Sequence, residues 1–103
     1  MRQYFEYRFE WDLLKAHANI RKHGVTFEKA TTVFTDPNAL SVFDEESSQE
    51  EERWISLGLD RSGIPLVVCH TYRNEGEHGA HIRIISARKA SKNELVRYKE
   101  RSL

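Results

Sequence analysis

The chain has 103 residues, 31% of them charged and 39% hydrophobic, so a small core must sit beneath a densely charged surface. That length suits one two-layer domain, expected over residues 1–103, and leaves no room for a separate regulatory domain. Sixteen basic and sixteen acidic residues balance to zero, which argues against a uniformly basic nucleic-acid binder.

The balance is uneven along the chain: net +2 over residues 1–35, −6 over 36–53, zero over 54–72 and +4 over 73–103. A basic C-terminal third suited to phosphate thus accompanies an acidic segment, Asp44 to Glu52, that repels it. No apolar run approaches the roughly 20 residues of a spanning helix, and the N-terminus lacks the apolar stretch of a secretory signal. The lone Cys69 has no second cysteine for a disulfide or a Cys-x-x-Cys site. A reducing, cytoplasmic setting without membrane attachment is the expectation.

Tyr4 to Phe9 alternates, with Phe5, Tyr7 and Phe9 on one side, the pattern of a half-buried strand. Asp12 is placed to cap a first helix with an apolar stripe at Leu13, Ala16 and Ile20. Gly24 stops it, with Lys22 and His23 in the last turn where the helix dipole favours cations. Thr26 caps a second helix that buries Phe27, Ala30, Val33 and Phe34, and Asp36-Pro37 ends it. The two helices form a tight hairpin.

From there the period becomes two. Ala39 to Phe43 and Arg53 to Leu59 read as strands on either side of the acidic loop. Asp60-Arg61-Ser62-Gly63 turns the chain into a strand from Pro65 to Tyr72. After a polar loop, His81 to Ala90 is the most strand-like run, with Ile82, Ile84, Ser86 and Arg88 on one face and Arg83, Ile85 and Ala87 on the other. Ser91 and Glu94 have capping-box spacing and open a last helix to about Arg101, with Leu95 and Tyr98 inward. The order β-α-α-β-β-β-β-α predicts an α+β fold: an antiparallel sheet of four to five strands, with helices on one side.

No metal-ligand spacing, glycine-rich phosphate loop, nucleophile elbow or Cys–His pair occurs, and neither metal nor cofactor is expected. Cys69, within an apolar strand, reads as a small core residue. What remains is a basic and amphoteric set: Lys22, His23, Arg53, His70, Arg73, Arg83, Arg88 and Tyr98. Each has an ordinary structural account as helix-end charge, satisfied core histidine, rim tyrosine or surface ion pair. Taken together, they also suffice for RNA cleavage by 2′-hydroxyl attack. That reaction needs a base, an acid and cations for the phosphorane, but no metal. Histidine transfers protons near neutral pH, and arginine offers phosphate a two-pronged donor.

The whole chain then resembles the BrnT family of type II toxin–antitoxin ribonuclease toxins. The resemblance is carried by Phe9-Glu10-Trp11-Asp12, Lys15, Asn19, Lys22-His23-Gly24-Val25 with Phe27, and Val33-Phe34-Thr35-Asp36-Pro37. It continues through Glu52-Arg53-Trp54-Ile55-Ser56-Leu57-Gly58, Leu66-Val67-Val68, His70-Thr71, Arg73, Arg83 to Ala90, Glu94 and Tyr98. It implies a RelE-like fold and a ribonuclease that blocks translation when free. It also implies a BrnA-type antitoxin with a ribbon-helix-helix part, through which alone the toxin would meet operator DNA.

By that resemblance His70, Arg88, Arg83 and His23 are the catalytic candidates, and Lys22, Arg53, Arg73 and Tyr98 bind the RNA substrate. Many relatives carry a histidine in the loop where this chain has Ser47-Ser48, which leaves His78 or His81 to compensate. Strict alternation would set Arg83 and Arg88 on opposite faces unless a bulge intervenes, and Arg88 is expected to turn toward His70 and Arg73. The rival expectation is a catalytically weak module acting as antitoxin partner and operon co-repressor.

Overall fold

The computed structural model describes residues 5–101. In chain order it contains β1 (Glu6–Glu10), α1 (Leu13–His23), α2 (Phe27–Thr31) running into a 3-10 turn (Thr32–Thr35), and β2 (Leu40–Phe43). There follow β3 (Arg53–Leu59), β4 (Pro65–Thr71), the short β5 (Arg73–Asn74), β6 (Gly79–Lys89) and α3 (Lys92–Glu100). The α+β order is as expected; Tyr4, at the start of the expected first strand, lies outside the described residues.

Local chemistry sets the helix ends. Asp12 accepts from the Lys15 amide at 3.0 Å and Thr26 from the Lys29 amide at 3.1 Å. Ser91 and Glu94 form the full capping box, and Gly24 leaves α1 at φ 68°, the left-handed conformation glycine adopts without penalty.

The sheet runs β1-β6-β4-β3-β2, with β5 added beside β6. Its pairs are antiparallel except one: β1 runs parallel to β6, Glu6 opposite Gly79 and Glu10 opposite Arg83. Parallel neighbours need a long crossover, and here the helical hairpin and the meander of β2 to β5 supply it. β1 stops at Glu10, so the edge of β6 beyond Arg83 has no strand beside it. Asn19 of α1 fills that place. Its side-chain amide accepts from the Ala87 N–H at 3.1 Å and donates to the Ala87 carbonyl at 2.8 Å and the Val25 carbonyl at 2.9 Å.

That anchoring rotates α1. Ala16 and Asn19 are buried, while Leu13 and Ile20 of the expected stripe are 69% and 44% exposed. The main core lies between the helical hairpin and one sheet face: Val25, Phe27, Ala30 and Val33 meet Leu66, Val68, Ile82, Ile84 and Ala87. The third helix departs from the one-sided expectation. Through Leu95 and Tyr98, α3 packs on Leu57 and Val67, which point from the opposite face, so helices cover both sides. Asp36 ties the layers together around the end of β3. Its Oδ2 accepts from the Leu59 amide at 2.8 Å and from the Tyr98 hydroxyl at 2.7 Å. Gly58 permits this close approach, since a Cβ there would lie 2.9 Å from Ala39 Cβ.

Candidate active site

One inserted residue decides which side chains meet. Cys69 pairs with Ser86 but His70 pairs with Ile84, so Ile85 is an extra residue in β6, a β-bulge. A bulge reverses the alternation beyond it. Ile82, Ile84 and Ala87 therefore all join the core under the helical hairpin. Arg83, Ser86 and Arg88 all face the other way, where Ser86 and Arg88 line a groove beside Val67 and Cys69. The two arginines that alternation separated thus share one face.

Near the start of β6 this face carries a depression of about 450 Å³. Arg83 and Arg53 both approach Oε1 of Glu51, a residue of the acidic loop, Arg53 through Nη2 at 3.8 Å. Arg73 stands opposite His81 in the β5–β6 ladder and approaches Glu75 at 3.9 Å. His81 Nε2 lies 3.0 Å from Glu10 Oε1. The buried Nε of Arg53 has no hydrogen-bond acceptor among the described residues, so that guanidinium keeps an unused donor.

Arg88 lies farther along the same face. From Arg83 to Arg88 the strand covers on the order of 15 Å, given a rise of about 3.3 Å per residue. Arg88 makes two parallel hydrogen bonds to Glu94 at 2.8 Å each. Those bonds are the largest influence on Glu94; burial opposes them, but the Ser91 amide adds to them, and the carboxyl is pulled down to about 2. The groove beside Arg88, about 390 Å³, is lined by Val42, Leu57, Val67 and Arg97.

His70 is elsewhere. It points to the helical-hairpin face and is 3% exposed, against the edge of the Phe34 ring at 4.7 Å between centroids. Its Nδ1 lies 2.9 Å from the Thr71 carbonyl, which only accepts, so Nδ1 carries the proton and Nε2 accepts from Ser56 Oγ at 2.7 Å. Ser56 in turn meets Ser41 at 2.7 Å. Burial pushes the imidazole pKa down, which the Thr71 carbonyl only partly offsets. The expected meeting of Arg88 with His70 is therefore corrected: the sheet lies between them. His70 instead floors an aromatic pocket formed by Tyr7, Phe34, Trp54 and Tyr72.

The other expected residues separate as well. Lys22 is exposed and His23 half-buried at the end of α1, the helix whose Asn19 docks on Ala87 rather than near Arg83. Tyr98 is buried, with its hydroxyl on Asp36 and the Arg101 guanidinium 5.3 Å from its ring centroid. Burial and Asp36 raise that phenol's pKa. For Asp36 itself burial pushes upward, but the Leu59 amide, the Tyr98 hydroxyl, the Asn38 amide and Arg101 together hold it below the usual carboxylate range. The structure thus brings Arg53, Arg73 and Arg83 together, with Arg88 farther along the same face. It leaves His70, His23, Lys22 and Tyr98 outside. Glu51 and the Glu10–His81 pair were not among the expected site residues. Glu10 shares the charged side of β1 with Glu6 and Arg8, but only the β1–β6 pairing brings it to His81. Among the described residues no three His, Cys, Asp or Glu side chains converge as metal ligands would.

The α+β fold is shared with a solved bacterial toxin. The fold matches the crystal structure of the Brucella abortus ribonuclease toxin, BrnT, with a TM-score of 0.58 and 22% sequence identity, covering 84% of this chain and 100% of that one. Among curated proteins, none is significantly similar to this chain. The family model for the ribonuclease toxin BrnT of type II toxin–antitoxin systems matches residues 11–94. The chain belongs to that family, and membership in a type II system implies an antitoxin partner.

Proposed function

We propose that this ribonuclease toxin cleaves RNA without a metal, by attack of a 2′-hydroxyl on the adjacent phosphate, and that the arginine face is where it does so. One observation carries the reading: Arg53 and Arg83, from different strands, converge on a single carboxylate oxygen. An arrangement that holds one anion there is suited to a phosphate oxygen, and arginine's fork matches that geometry. On binding, an RNA phosphate takes the place of Glu51, Arg73 adds a third cation, and the chain continues past Ser86 toward Arg88. His70, buried and neutral, serves as a positioning residue at the β3–β4 pair, and Tyr98 likewise holds α3. Lys22 and His23 meet flanking RNA from the end of α1.

In this reading the free toxin acts in the cytoplasm and inhibits translation. A BrnA-type antitoxin with a ribbon-helix-helix part neutralises it and alone mediates contact with operator DNA. The test is cleavage of a defined RNA by the purified chain in EDTA, with the product ends analysed. A 2′,3′-cyclic phosphate is the expected end, and RNA left intact overturns the reading. A second reading has its own observation: Arg53, Arg73, Arg83 and Arg88 are each already paired with a glutamate. A catalytically weak module, acting mainly as antitoxin partner and operon co-repressor, would bind RNA and leave it whole.

A further inference from the structure

The geometry points to His81 as the general base of the arginine pocket, with Glu10 as the carboxylate that orients it; this assignment rests on the ribonuclease reading above. Three placements support it. The parallel register sets Arg8 beside His81 and Glu10 beside Arg83, and the Glu10 carboxylate reaches back to within 3.0 Å of His81 Nε2. A carboxylate only accepts, so Nε2 carries the hydrogen and the Nδ1 lone pair is left to take a proton. This is the arrangement in which an orienting carboxylate fixes the tautomer and favours the imidazolium once it forms.

His81 and Arg83 also lie two residues apart on one face of β6, about 7 Å along the strand, and both line the same depression. A phosphate on Arg83 therefore brings its neighbouring 2′-hydroxyl within range of the imidazole. The contrast with His70 is chemical. Both ring nitrogens of His70 are engaged by Ser56 and Thr71 and its side chain is buried, whereas the His81 side chain is 21% exposed and opens on the pocket.

Nδ1 of His81 takes the 2′-hydroxyl proton while the 2′-oxygen forms its bond to phosphorus. The bond from phosphorus to the 5′-oxygen breaks, and that oxygen keeps the electron pair and takes a proton from water. The imidazolium returns its proton to the hydroxide left behind. The products are a 2′,3′-cyclic phosphate and a free 5′-hydroxyl, with Arg73 and Arg83 countering charge on the phosphorane.

The charged groups facing His81 are Arg8 and Glu10 from β1, Arg73 from β5 and Arg83 on β6. Glu75 approaches both Arg8 and Arg73, and Glu50, Glu51 and Glu52 of the acidic loop line the far wall. Removing the Glu10 charge should slow cleavage without weakening RNA binding, because the imidazolium formed in the step loses its nearest counter-ion.

The experiment is single-turnover cleavage of a defined RNA by the full chain at one fixed pH, with RNA affinity followed by fluorescence anisotropy. His81→Ala should lower the rate about 100-fold or more, the usual weight of a general base, while affinity changes only a few-fold. Added imidazole should restore part of the rate, which a merely structural histidine would not allow. Glu10→Gln, at a side chain 55% exposed, offers a variant with little bearing on folding and should slow cleavage about tenfold or more while RNA affinity stays unchanged. Cleavage by His81→Ala within about threefold of the parent, or a parent-like cleavage rate in Glu10→Gln, overturns the assignment while the ribonuclease reading stands. A parent chain that leaves RNA intact overturns both.

Discussion

The two faces of the sheet solve opposite problems with the same strands. The helical-hairpin face is organised by burial: Phe27, Val33, Val68 and Ile82 are fully excluded from solvent, and its one histidine is neutral with both nitrogens satisfied. Beyond the apolar contacts of Leu95 and Tyr98, the other face is organised by charge: Arg53, Arg73 and Arg83 are each held by a glutamate, and Arg88 by Glu94 of α3. A buried polar group must be satisfied permanently, because leaving it unpaired costs about 1–3 kcal/mol. An exposed ion pair contributes at most about 1 kcal/mol, so a competing phosphate can exchange with it. One face therefore stores stability, and the other stores exchangeable cations.

Substitutions should divide along that line. The largest stability effect is expected at Asn19→Ala, which strips partners from both backbone groups of Ala87 and from the Val25 carbonyl. A loss of about 3 kcal/mol or more should appear in urea unfolding. Arg83→Ala should leave that unfolding curve within about 0.5 kcal/mol of the parent while lowering single-turnover RNA cleavage roughly 100-fold, about 2.7 kcal/mol of transition-state stabilisation. A reversed pattern would break the division between the faces.

Smaller effects sharpen it. The Glu94 carboxyl, at about 2 in the folded protein against 4.5 as its reference value, is a depressed group. Its contribution is complete above the unfolded value and is lost as pH falls from about 4.5 through 2. Thermal unfolding should show this loss across that window, and Glu94→Gln should flatten it. The smallest change is expected from Glu51→Gln, which releases Arg53 and Arg83. RNA affinity should rise several-fold at low salt, with folding stability altered by less than about 1 kcal/mol.

Much of the fold was legible because it rests on interactions three or four residues apart. The caps at Asp12, Thr26 and Ser91, the glycine stop at Gly24 and the alternation of β3 and β4 are all read from neighbours in the chain. The site was less legible. The arginines stood out by type, but His70 drew the catalytic role by its place within a strand motif. Glu51 looked like one more carboxylate in a repelling loop. Neither burial nor partner choice is encoded at that range: the Arg83–Glu51 contact spans 32 residues and the Asn19–Ala87 contact spans 68.

By itself, then, the chain determined its α+β order, its helix limits, its turns and its stock of cations. Tertiary structure alone decided which cations meet. The parallel pairing of β1 with β6 placed Glu10 beside His81. Docking of α3 on the second face gave Arg88 its carboxylate. The bulge at Ile85, which carries no glycine or proline to announce it, turned Arg83 and Arg88 to the same side. The physical reason is the two-residue period of a strand: one inserted residue reverses every side chain beyond it, and only the partner strand's register determines where that residue goes.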